Sequence, residues 1–299
     1  MVNSQIRGVI PPLTTPFKRD GTLYEEGLRR LLDFQINKGS LGVFLCGTYG
    51  SGPLMSLNER KKVVEVSVDQ INNRISAIVH VGTANTKDSV ELAKHAEEIG
   101  ADAVASVPPY YYKHDERTIQ EYYKRLVEAV KIPVYVYNNP RRSGFSITPP
   151  FLSKLHDVGV KGIKDSGFSL VEFSHFLIEC GDREDFTFII GTEALAFPAL
   201  MMGAKGCISG LANVFPEPVV DLYNSVMKGN YEEAAKLQLR VNEARRILHI
   251  AGSSIAACYT MLNERGVEVG MPKLPILPVT TEALDQMEKE FKRMGLLEP

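Results

Sequence analysis

The feature that most constrains this chain is a module that recurs along it. An amphipathic stretch ends in Gly, a few residues follow, and a short apolar run then closes on Gly, Thr, Pro or Asn. Gly39 leads into Val43-Phe44-Leu45-Cys46, and Gly100 into Ala103-Val104-Ala105-Ser106-Val107. Gly159 leads into Val160-Lys161-Gly162-Ile163-Lys164, and Gly203 into Gly206-Cys207-Ile208-Ser209. Glycine just past a helix suits a left-handed C-terminal cap, because it lacks the Cβ that would clash. The apolar runs cover only 4–6 residues with little alternation, which is how strands buried on both faces of a parallel sheet read. Helical spacing fills the gaps: Leu28, Leu31, Leu32 and Ile36 fall at i, i+3, i+4 and i+8.

Eight strand starts emerge, near Gly8, Gly42, Ile75, Asp102, Pro133, Lys161, Phe186 and Gly206. Their spacing of about 28 residues is that of one βα unit, so the pattern predicts a (β/α)8 TIM barrel over residues 1–225. A doubly wound sheet is the rival. Residues 226–299 are expected to form a helical segment packed on the barrel. Helices are predicted near 217–228, 230–265 with a break around Gly252, and 281–295 beyond the Pro-rich stretch Met271 to Pro278.

Composition narrows the function by exclusion. The 299 residues carry 34 Lys+Arg against 36 Asp+Glu, a net of −2, which offers no field to hold a nucleic acid. No apolar run approaches the ~18–20 residues of a membrane span. Met1-Val2-Asn3-Ser4-Gln5 lacks the regions of a secretory signal. The four cysteines form no Cys-x-x-Cys pair, and a cytoplasmic protein is expected. There is no Gly-x-Gly-x-x-Gly after the first strand, no phosphate-binding Gly-Lys-Ser/Thr motif, and no Gly-x-Ser-x-Gly elbow. The six histidines are scattered, so no metal site is expected. The chemistry is expected at the strand ends, where barrel enzymes carry it.

Lys164 ends an apolar run, so it reaches solvent, pairs with an acid, or acts as a nucleophile. Asp165 is a poor partner because successive strand side chains point to opposite faces. Gly162 shares the Lys164 face and is expected to leave space beneath it. In a dry barrel mouth the ammonium is disfavoured and the free amine becomes available. Tyr137 closes the preceding run and is either a core aromatic or a proton shuttle. Of Tyr110-Tyr111-Tyr112, at least one should face a site or a subunit interface. Gly47-Thr48-Tyr49-Gly50 is an ordinary turn or a set of N–H groups converging on a carboxylate. Arg142, in the loop after the fifth strand, has the fork that grips an anion, whereas Arg141 reads as a solvated charge.

Several of these pieces stand in one order: Leu13-Thr14-Thr15-Pro16-Phe17, Gly47-Thr48-x-Gly50, Pro109-Tyr110-Tyr111, Tyr137-Asn138-x-Pro140, Gly162-Ile163-Lys164-Asp165-Ser166 and Gly206-x-Ile208-Ser209. Together they resemble the dihydrodipicolinate synthase / N-acetylneuraminate lyase family of Schiff-base aldolases. The resemblance implies a TIM barrel with a C-terminal helical appendage, a lysine–pyruvate imine on Lys164, and no cofactor. It also implies proton relay by Tyr137 with Thr48 and, from a neighbouring subunit, Tyr111. The N–H groups of Thr48 and Tyr49 would hold the pyruvate carboxylate, and the Ile208 carbonyl would lie against the imine. Small-molecule partners and a homo-oligomer, a tetramer of two dimers, are implied as well. An Arg at position 142 points to a synthase using aspartate semialdehyde. Tyr49-Gly50-Ser51-Gly52-Pro53 is more like a 2-keto-3-deoxygluconate-type sugar-acid aldolase or dehydratase. A non-catalytic 2-oxo acid binder is the alternative from another class.

Overall fold

The computed structural model describes residues 6–298, so the N-terminal pentapeptide that was read for a signal lies outside the described residues. Eight strands follow in chain order: β1 (Gly8–Ile10), β2 (Gly42–Leu45), β3 (Ser76–His80), β4 (Ala103–Ser106), β5 (Val134–Asn138), β6 (Gly162–Asp165), β7 (Thr187–Ile190) and β8 (Gly206–Ile208). Each pairs in parallel with its sequence neighbour from β2 to β8, and β8 pairs with β1. The ring closes through backbone bonds between β1 and β2, where Leu41 N–H donates to Val9 O at 3.0 Å and Phe44 N–H to Pro11 O at 2.9 Å. This order excludes the doubly wound alternative and makes the fold a TIM barrel.

Period-two alternation divides the strand residues into two apolar sets. Phe44, Ile78, Tyr135, Tyr137, Ile189 and Ile208 face inward and pack on one another. Val43, Val79, Val136, Ile163 and Ile190 face the surrounding helices. Both faces are therefore buried, which is why the runs lack a polar face in the sequence. Lys164 belongs to the inward set, beside Tyr137 in register.

The outer layer holds α1 (Glu25–Asn37), α2 (Leu57–Ile71), α3 (Thr86–Ile99), α4 (Glu116–Ala129), the short α5 (Pro140–Ser143), α6 (Pro149–Asp157), α7 (Leu170–Cys180) and α8 (Ala196–Met201). Local chemistry sets their ends. Ser56 and Glu59 form a reciprocal capping box at the start of α2. Gly100, at φ 94°, ends α3 in the left-handed region. Four further helices follow: α9 (Pro216–Met227), α10 (Tyr231–Leu248), α11 (Ser254–Glu264) and α12 (Thr281–Arg293). The break between α10 and α11 falls at Gly252, φ 72°, and Arg245 and His249 just before it line the same cleft as Lys164. All four cysteines are buried and unpaired. No helix of the described residues is long and apolar enough to cross a membrane.

Candidate active site

The C-terminal ends of the strands open into a cleft of about 560 Å³. Thr48, Tyr49, Tyr137, Arg142, Lys164 and Ile208, all singled out in the sequence, line it together.

Lys164 stands at its floor, only 3% exposed. Its Nζ lies 3.7 Å from the ring centre of Phe44 and 3.8 Å from that of Tyr137. Burial pushes its pKa below the ordinary 10.5, and the Tyr137 phenol only partly opposes that shift. The negative faces of the two rings also favour the cation, so they temper the desolvation without supplying a counter-ion. No carboxylate is among the groups that act on it. Asp165 points away, as alternation requires. It accepts from Asn138 Nδ2 at 2.7 Å, and burial raises its carboxyl to about 6.

The Tyr137 phenol is buried and accepts from Asn139 Nδ2 at 2.8 Å. Burial would raise its pKa, but the Lys164 ammonium, with Thr48, Asn139 and Ser166, brings it below the usual phenol value. An amine pushed down beside a phenol pulled down is a pair suited to exchanging a proton. Ser166 lines the same cleft, on the loop that follows β6.

Close packing sets the geometry beneath and beside these groups. The space expected under Lys164 is not free. A Cβ on Gly162 would meet the Tyr135 ring and the Thr187 carbonyl, so the glycine admits an aromatic from β5. In the turn after β2, a Cβ on Gly50 would lie 2.8 Å from Leu13 O, which requires glycine there. Tyr49 packs its ring on Gly210 and places its hydroxyl 2.9 Å from Ser254 Oγ, so it ties the turn to α11.

Arg142 is exposed and lines the mouth. Arg141 does so as well: it is exposed, as a solvated charge is expected to be, and its guanidinium lies 4.9 Å from the Phe168 ring centre. Arg245 of α10 lies 5.7 Å from the same ring, and its Nε is 3.1 Å from the buried Glu193. Glu193, Arg245, His249 and Ser254 were missed because they are remote in sequence. Only the chain break at Gly252 hinted that α10 ends near anything. Tyr111 is outside the cleft. It is 88% exposed at φ 83°, an unusual conformation for a bulky residue, while Tyr110 packs on the barrel interior.

Comparison with known proteins agrees with the barrel fold. The profile of the dihydrodipicolinate synthetase family matches residues 5–294. A 4-hydroxy-tetrahydrodipicolinate synthase of Acetivibrio thermocellus is 35% identical over 95% of this chain and 96% of its own. One from Clostridium perfringens is 35% identical over 97% and 99%. A prophage protein of the dihydrodipicolinic acid synthase family from E. coli K12, solved in complex with pyruvate, superposes with a TM-score of 0.94 at 26% identity, covering 98% and 100%. On its barrel, its matched length and its relatives, this chain belongs to the dihydrodipicolinate synthetase family.

Proposed function

We propose that this chain is a pyruvate-dependent lyase that works through a lysine imine, condensing pyruvate with aspartate semialdehyde as a 4-hydroxy-tetrahydrodipicolinate synthase. The observation that carries the reading is Lys164, a buried amine with a lowered pKa, set against a phenol and free of carboxylates. The names of the relatives support the synthase branch.

Lys164 Nζ adds to C2 of pyruvate, and loss of water from the carbinolamine leaves an imine. A methyl proton then departs, and its electron pair drains into the imine to give an enamine. C3 of the enamine bonds to the aldehyde carbon, whose oxygen takes up a proton, and the C2 imine re-forms. The amino group of the condensed aspartate semialdehyde then adds to C2, closing the ring, and the C2–Nζ bond breaks to release Lys164 as the amine. Tyr137, steadied by Asn139, carries protons in these steps. The N–H groups of Thr48 and Tyr49 hold the pyruvate carboxylate, and the Ile208 carbonyl lies against the imine. The imine is itself the electron sink, so the reaction asks for no metal or organic cofactor. Arg142 meets the charged end of the incoming aldehyde. Tyr111, projecting from its own barrel, completes the relay of a second copy in a homo-oligomer, a tetramer of two dimers. Four buried free thiols suit a reducing compartment such as the cytoplasm.

The test offers pyruvate with a panel of aldehydes and reads products by mass. Condensation with aspartate semialdehyde is expected. Preference for neutral sugar aldehydes would move the chain to the sugar-acid aldolases. Binding of pyruvate without any product would leave a 2-oxo acid binder.

A further inference from the structure

Arg60, on α2, is a buried arginine with no acidic partner among the described residues. It is 3% exposed, and its guanidinium donates to the carbonyls of His80 and of Gly82, the latter at 3.1 Å. Its Nε has no hydrogen-bond partner among the described residues. Arginine keeps its charge in proteins, and a buried charge without a counter-charge is costly.

The surroundings indicate what the missing charge is. Cys46, at φ 55° immediately before the Gly47-Thr48-Tyr49-Gly50 turn, donates its thiol to the backbone carbonyl of Arg60 at 3.8 Å. Cys46 O in turn lies 3.2 Å from His80 Nδ1, and His80 Nε2 accepts from Val107 N–H at 3.3 Å. With one ring nitrogen donating and the other accepting, the imidazole is neutral. Burial and two cations, Arg60 and Lys164, keep it so. No carboxylate is among the groups that act on Cys46, His80 or Lys164. Among the described residues, the root of the turn thus holds the Arg60 cation with no carboxylate paired to it.

We propose that Arg60 is the buried counter-charge of the substrate carboxylate, a positioning residue that anchors His80, and through the His80 ring Cys46 O, at the root of the Gly47–Gly50 turn and supplies positive potential there without touching the substrate. The proposal rests on the lysine-imine reading and adds to it the origin of the preference for a 2-oxo acid over a neutral ketone. The turn's N–H groups give direction to the carboxylate, and Arg60 gives the charge that a dry site would otherwise lack.

The experiment titrates imine formation, trapped with borohydride and read by mass, with pyruvate and with pyruvamide, its uncharged amide. Arg60→Met should raise half-saturating pyruvate on the order of tenfold and leave pyruvamide within about twofold. Arg60→Lys, which keeps the charge and loses the fork, should restore most of the pyruvate affinity even if its Tm falls. A parallel shift for both ketones, or unchanged pyruvate affinity in a folded Arg60→Met, would overturn the proposal. If Arg60→Met does not fold, a tenfold loss for both ketones in Arg60→Lys would overturn it instead. Wild type that traps neither ketone would remove the lysine-imine reading, and this proposal with it.

Discussion

Tyr137 and Lys164 are register partners on adjacent parallel strands, and the amine nitrogen of one lies 3.8 Å from the ring centre of the other. Each changes the other's acidity: the ammonium lowers the phenol, and the phenol supports the ammonium against burial. Tyr137→Phe keeps the ring and removes the proton carrier. Turnover should fall by about 10²–10⁴-fold, while slow imine formation persists. Steady-state rates and single-turnover trapping on the same protein separate the two effects.

The lowered Lys164 pKa has a direction in pH. Only the free amine attacks, so the rate of imine formation should climb with pH and level off at an inflection below 10.5. Stopped trapping across the alkaline range measures it. An inflection at or above 10.5 would mean that burial does not disfavour the ammonium in solution.

Asp165 gives a stability test that is independent of chemistry. Its folded carboxyl titrates at about 6 against an ordinary 3.8. The unfolded chain therefore ionises first, and the cost of burying the carboxylate is full above pH 6. Asp165→Asn retains Oδ1 for Asn138 and Gly167 and replaces Oδ2, which has no hydrogen-bond partner among the described residues. It should stabilise the protein on the order of 1–3 kcal/mol at pH 7. Denaturant melts should show that gain shrinking as pH falls from 6 towards 4.

Much of this was legible in the sequence because the physics was local. The runs opening near Ile75, Asp102 and Phe186 begin one residue later as strands, at Ser76, Ala103 and Thr187, since burial on both faces leaves an unbroken apolar signature. Lys164 stood out as a charge inside such a run. The Tyr135 ring under Gly162 was not legible, because a cross-strand neighbour fills a gap that one strand's own pattern shows as empty. Arg245 and Glu193 pair across α10 and the loop after β7, a contact that no local spacing encodes. Arg60 sits in the run Glu59-Arg60-Lys61-Lys62 and reads there as one more solvated charge, whereas helical rotation turns it inward.

Arg142 should decide which aldehyde is used. A charge-assisted hydrogen bond contributes roughly 1.5–3 kcal/mol, so Arg142→Ala should cost on the order of 10–100-fold in kcat/KM with aspartate semialdehyde. Glyceraldehyde, which is neutral, should lose little. Equal losses for both aldehydes would show that the guanidinium does not meet the substrate's charge.

Tyr111 should matter only in the assembled protein. Tyr111→Phe should lower turnover by an order of magnitude or more while leaving imine trapping intact, and sedimentation of the active species should exceed one subunit. A monomer with full activity would show that the exposed Tyr111 and Tyr112 serve another purpose.

The central claim is that Lys164 is the nucleophile. Incubation with pyruvate and borohydride, followed by intact mass and peptide mapping, tests it most directly. The account predicts one reduced pyruvyl adduct per chain, located on Lys164 and absent in Lys164→Ala. An adduct on another lysine, or none on folded protein, would contradict it.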